Sequence, residues 1–207
     1  MLALLRRKGG FRGGDMVGVD YSIGSVRLAR ELQRLRIHSA YLGGSSDSED
    51  DDDDDEQPGE AADTDTGADD SDIRFEEWDI LSSTDPLSDS STGGTLDWFP
   101  YAQGGFDIVL DKGTFDAVSL CDEVDGAAQR RVCERYPAVA RRLVRRGGFL
   151  VVTSCNWTEE EVVKWFTSSG GTSGEDGLKV WGRVDYPRFQ FGGKEGQGVC
   201  TVCFQRS

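Results

Sequence analysis

The 207-residue chain has a single histidine, His38, and only two methionines. One imidazole excludes metal centres built on two or three histidines, and its position in or just after a helix argues against a catalytic triad. The five cysteines, Cys121, Cys133, Cys155, Cys200 and Cys203, are odd in number and lie mostly in apolar runs. That is the pattern of reduced buried thiols, not of a disulfide framework. Cys200 and Cys203 have CxxC spacing, but residues three apart on a strand face opposite sides and no second pair is present, so no metal is expected. Apolar runs that approach the roughly 20 residues of a membrane span are lacking, as is the apolar core of a secretion signal in residues 1–14. A soluble cytoplasmic protein, with no membrane partner, is the expectation.

Basic residues are absent from residues 43–72, where fifteen Asp or Glu equal the whole formal net charge of −15. The remaining 23 acidic residues (38 less 15) balance 23 Lys and Arg. The low pI therefore says nothing about a functional surface, and no basic stripe offers itself to nucleic acid. Residues 43–72 carry too little apolar surface to fold and read as a disordered insertion. A second stretch, 82–105, is a Ser/Gly-rich loop in which Trp98, Phe99 and Tyr101 are expected to dock on the domain.

Around these gaps the chain alternates strands and helices. Residues 2–8 read as the end of a helix. Residues 16–19 form an apolar strand ending at Asp20; Ser22 can cap the next helix, whose apolar face is Val26, Leu28, Ala29, Leu32 and Leu35. Another strand, 73–78, ends at Asp79, ahead of Ile80. The apolar run 106–110 then stops at Asp111 and Lys112, and Gly113-Thr114 turn the chain into a helical segment. Residues 125–146 have helical spacing, with Pro137 either kinking one helix or starting a second. The basic end at 141–146 and Gly147-Gly148 are expected to close it, ahead of a buried strand at 149–153. Thr158 and Glu161 form a capping-box pattern that opens the next helix. Two closing strands, 178–185 and 198–204, with no helix between them, predict an antiparallel hairpin at one edge of a mostly parallel, doubly wound α/β sheet.

Strand ends in such a sheet are where ligands bind. Asp20 can accept both hydroxyls of a ribose through one carboxylate, although an N-terminal turn acid favoured by the helix dipole explains it equally well. The Asp-Lys-Gly of 111–113 is likewise compatible with an ordinary surface turn.

VGVDYS at 17–22, LDKGTFDAVSL at 110–120, TSCNWT at 153–158 and PRFQFGG at 187–193 resemble the protein-lysine methyltransferases that act on translation elongation factor 1-alpha, in the branch with the TSCNWT signature. The resemblance implies a single seven-β-strand methyltransferase domain over residues 1–207, interrupted at 43–72 and 82–105. It implies S-adenosyl-methionine as cofactor, elongation factor 1-alpha as protein substrate, a lysine acceptor and a monomer. Asp20, Tyr21, Asp79, Ile80 and Asp111 would contact the cofactor; Asp111, Asn156 and Trp157 would line the acceptor channel. Family members begin with a strand and a Gly-rich loop, neither of which precedes Asp20 here. The sheet is thus expected to be truncated at its N-terminal side, without its first strand, and cofactor binding to be weak. Two further readings stay open: a cofactor-free interaction module, and, more remotely, a dehydrogenase.

Overall fold

The computed structural model describes residues 1–36, 73–82, 87, 96–125, 130–168, 176–187, 189–191, 194–196 and 198–207. The acidic insertion at 43–72 and His38 lie outside the described residues. The chain divides into two compact units, Met1–Asp79 and Ile80–Ser207.

In the first unit, helix α1 (Leu2–Arg7) is followed by strand β1 (Val17–Asp20), helix α2 (Ile23–Leu35) and strand β2 (Arg74–Glu77). The two strands pair in parallel, with Asp20 opposite Glu77. Ser22 caps α2 as its sequence implies, its hydroxyl accepting the Ser25 amide. That bond satisfies one of the amides a helix leaves without an internal partner. Gln33 then secures α2 to the strand that follows the insertion. Its carboxamide donates to the Ile73 carbonyl at 3.0 Å and accepts the Ile73 amide at 3.1 Å.

The second unit contains β3 (Phe106–Lys112), α3 (Thr114–Ser119), the short pair β4 (Val124–Asp125) and β5 (Arg130–Arg131), α4 (Tyr136–Leu143), β6 (Val144–Ser154), α5 (Glu159–Thr167), β7 (Leu178–Arg183), the hairpin β8 (Phe189–Phe191) and β9 (Lys194–Gly196), and β10 (Cys200–Arg206). Four strands form one sheet in the order β3-β6-β10-β7. The β3-β6 pair is parallel, whereas β10 is antiparallel to both β6 and β7. The architecture is therefore mixed α/β with a parallel-containing sheet. The last strand is inserted between β6 and β7, so that among the described residues β7 lies at one edge of this sheet and β3 at the other.

The core lies on the sheet face that carries Leu150, Val152, Val202 and Phe204, against Phe115, Tyr136, Val162 and Phe166 from the helices. The alternation along β6, with Leu150, Val152 and Ser154 buried, is the period of two of a strand covered on one face. Trp98 and Phe99 are both buried; Trp98 stacks on Phe106 and Phe99 meets it edge-on, as expected of aromatic residues that dock from the long loop.

Several boundaries differ from the sequence reading: the helix read from 125 begins at Tyr136, the strand read from 149 begins at Val144, the strand read to 185 ends at Arg183, and the last strand is Cys200–Arg206. The strand read as 106–110 continues through Lys112, because Asp111 and Lys112 still pair with Val152 and Thr153. The helix expected to run to Arg146 ends at Leu143. Pro137 sits in its first turn, where a missing amide costs nothing, so the residue starts a helix after a 3-10 turn and does not kink one. Beyond Leu143 the backbone is drawn into the sheet, with Val144 opposite Phe106. Gly105, at φ 125, makes this approach possible: a Cβ there would lie 2.6 Å from the Leu143 carbonyl oxygen.

Candidate active site

Within the first unit, Asp20 and Tyr21 stand at the carboxyl end of the parallel pair. Asp20 is exposed, and its Oδ1 accepts the Ser22 amide at 2.8 Å. Among the described residues no donor engages the other carboxylate oxygen. The Asp20 carbonyl receives the Trp78 amide at 3.0 Å, which brings the segment after β2, including exposed Asp79, beside the end of β1. Tyr21 is 76% exposed. This edge thus presents an open hydrogen-bond acceptor and an uncovered aromatic ring, able to receive hydroxyl donors and to lie against a flat ring. Ile80 begins the second unit and is half-buried against its core.

Within the second unit the expected site residues fall into two hydrogen-bonded groups. Asp111, at the end of β3, turns its carboxylate inward. It accepts the amides of Thr114 at 2.9 Å and Phe115 at 3.1 Å, and the Tyr136 hydroxyl at 2.6 Å. Gly113, at φ 84, makes the tight turn that lets these first amides of α3 point back at the strand end. Burial pushes the Asp111 carboxyl above the usual range despite these donors. The same burial, together with the neighbouring carboxylate, holds the Tyr136 phenol well above its ordinary value and so protonated.

The other group joins α3 to the turn between β6 and α5. Asp116 receives the Ser154 hydroxyl on Oδ1 and the Cys155 amide on Oδ2, the latter at 2.8 Å. The Trp157 indole donates to Ser119 Oγ at 2.9 Å, and Trp157 packs on Phe115 and Trp165. Thr158 and Glu161 complete the reciprocal capping box. Thr153 shares a hydroxyl bond with Thr201, which in turn meets the Tyr186 hydroxyl.

The TSCNWT signature is consequently spent mainly on internal bonds. Only Cys155 and Asn156 of its first five residues are exposed. Asn156 gives its amide to Ser154, and no described group engages its carboxamide, which can therefore both donate to and accept from a ligand. Sequence reasoning missed Asp116, Ser119, Tyr136 and Tyr186. Tyr136 reads as one more apolar position of a helix, and Asp116 as the polar face of another.

Among the described residues no group of three His, Cys, Asp or Glu could hold a metal ion, and no helix is long and apolar enough to cross a membrane.

No family model matches the chain. It is 34% identical over 192 residues to a protein of Saccharomyces cerevisiae named protein-lysine N-methyltransferase EFM4, covering 92% of this chain and 59% of that protein. The Schizosaccharomyces pombe protein of the same name is 28% identical over 192 residues, covering 92% of this chain and 57% of that protein. EEF1A lysine methyltransferase 2 of Homo sapiens is 37% identical over 102 residues, 49% of this chain and 38% of the human protein. The chain spans less than two thirds of the length of each. By sequence it is a relative of these protein-lysine methyltransferases.

Proposed function

We propose that the chain belongs to an enzyme that transfers a methyl group from S-adenosyl-methionine to a lysine side chain of translation elongation factor 1-alpha. The observation that carries this reading is the 192-residue similarity to a protein named as a lysine methyltransferase, which runs across Asp20, Asp111 and TSCNWT alike. The open carboxylate at the end of β1 supports it.

When bound, S-adenosyl-methionine supplies a methyl group on a sulfonium, and the transfer is an in-line displacement that needs neither metal nor covalent nucleophile. Asp20 accepts the ribose hydroxyls on its open oxygen, and Tyr21 offers its exposed ring beside them. Asp79 contributes to the adenine side. In the second unit Asp111 is spent on the amides of α3, so its part is to hold the strand end and the DKGT turn in place. Asn156, with its carboxamide outward, orients the acceptor amine, and Trp157 forms the wall behind it. The acceptor lysine must lose its proton before it attacks, and an aromatic, partly dry surrounding favours the neutral amine.

The test is methyl incorporation from labelled S-adenosyl-methionine into elongation factor 1-alpha, read by mass spectrometry, beside calorimetric titration of the cofactor. Asp20→Ala is expected to abolish transfer and to weaken cofactor binding about a hundredfold, the equivalent of roughly 2.8 kcal/mol. Label appearing in RNA and not in protein would reject the acceptor. A full-length protein that neither binds the cofactor nor transfers a methyl group would favour the interaction-module reading.

A further inference from the structure

A serine hydroxyl has one proton to give and two lone pairs to offer, and Ser154 commits all three. Its proton goes to Asp116 Oδ1, and it accepts the amides of Asn156 at 3.2 Å and Trp157 at 3.0 Å. Asp116 Oδ2 takes the preceding amide of the turn, that of Cys155, at 2.8 Å. The carbonyl of Asp116 is tied as well: Ser119 Oγ donates to it at 2.9 Å while accepting the Trp157 indole at 2.9 Å. Three consecutive amides and one indole are thus held by a single acid and two hydroxyls. Asp116 and Ser154 are both buried, so water does not compete for these bonds.

The turn that results has little freedom. With its backbone fixed at 155, 156 and 157, the direction in which the Asn156 side chain leaves the turn is set by Asp116, which lies 40 residues earlier in the chain and on another element. We infer that Asp116 is a positioning residue: it reaches no ligand itself but, through Ser154 and the Cys155 amide, aims the Asn156 carboxamide. The inference rests on the functional reading above, in which Asn156 meets the acceptor amine.

Asp116→Asn keeps the shape of the side chain and replaces one acceptor oxygen by a donor, so that either the Ser154 proton or the Cys155 amide loses its partner. Two measurements on the full chain test the consequence. In amide hydrogen exchange, the variant is expected to exchange faster at 155–157 while α4 and the β6 strand keep their protection. Unchanged exchange in the turn would overturn the clamp. In methyl transfer to elongation factor 1-alpha, Asp116→Asn is expected to lower kcat on the order of tenfold to a hundredfold, the effect of a misplaced group, with the KM for S-adenosyl-methionine within about twofold. Placed on Asn156→Ala, which has no carboxamide left to aim, the same substitution should cost markedly less, the remainder being what the Trp157 wall loses. Equal losses in both backgrounds would show that Asp116 acts by some other route and would overturn the inference. A chain with no transferase activity would sink the functional reading, and the exchange measurement would then decide the clamp alone.

Discussion

Tyr136 donates its hydroxyl proton to Asp111 Oδ2 across 2.6 Å, with both residues buried and 25 positions apart. The bond fastens helix α4 to the strand end from which the DKGT turn springs.

Removing that donor with Tyr136→Phe is expected to cost about 1–3 kcal/mol, because a buried carboxylate loses a charge-assisted partner. The pH dependence follows from both groups. Asp111 is raised above the ordinary 3.8 by burial, so its contribution is full below that value and is lost as pH climbs through the folded one. Without the tyrosine proton the folded value rises further, and the loss extends to higher pH. Tyr136 is itself held well above 10.0, so in the parent chain stability falls once pH exceeds that value and the unfolded phenol ionises. The variant should lack this alkaline component. Melting midpoints taken from pH 4 to 11 check it, and parallel profiles for the two proteins would refute the coupling.

Gly113→Ala isolates the backbone requirement of the DKGT turn. A Cβ at this position meets nothing within 4 Å, yet φ is +84. The whole effect should be conformational, about 1–2 kcal/mol for an L-residue held in the left-handed region. Denaturant titration gives the number. A cost near zero would mean that the turn relaxes to another conformation without disturbing α3.

Arg206, on the last strand, grips Asp176 with two nitrogens, at 2.7 and 2.9 Å, and also donates to the carbonyls of Arg141 and Val144. Chiefly that hydrogen bonding holds the Asp176 carboxyl below 3.8. Its contribution is therefore present above the unfolded value and is lost as pH falls through the folded one. Asp176→Asn should lose about 1–3 kcal/mol at neutral pH and flatten the acid limb of the stability curve. Urea midpoints at pH 7 and pH 3 would show the gap between the two proteins closing at the lower pH; a gap independent of pH would contradict the pairing.

Features carried by neighbouring residues could be read from the sequence because their physics is local. Ser22 caps α2 three residues ahead of its partner, and Thr158 with Glu161 closes a capping box within one turn of α5. Apolar runs marked β1, β3, β6 and β10, and Asp20 stands at a strand end as its position in the chain implied. The family resemblance, too, was carried by contiguous motifs. What the tertiary structure alone decided depends on groups far apart in sequence. Helix α4 stops at Leu143 because Val144 finds a strand partner in Phe106, a sheet bond that no helical periodicity around residue 143 can foretell. The insertion of β10 between β6 and β7 follows from its pairing with β6, from Cys200 with Ser154 to Gln205 with Phe149, far apart in sequence. Asp111 looked like an outward ligand and faces inward, because the α3 amides and Tyr136 offer it more donors than a strand-end acid has on its own. Asp116 meets Ser154 from 38 residues away. A buried acid must find its donors wherever the packed chain brings them, and that choice is made by tertiary packing, not by adjacent residues.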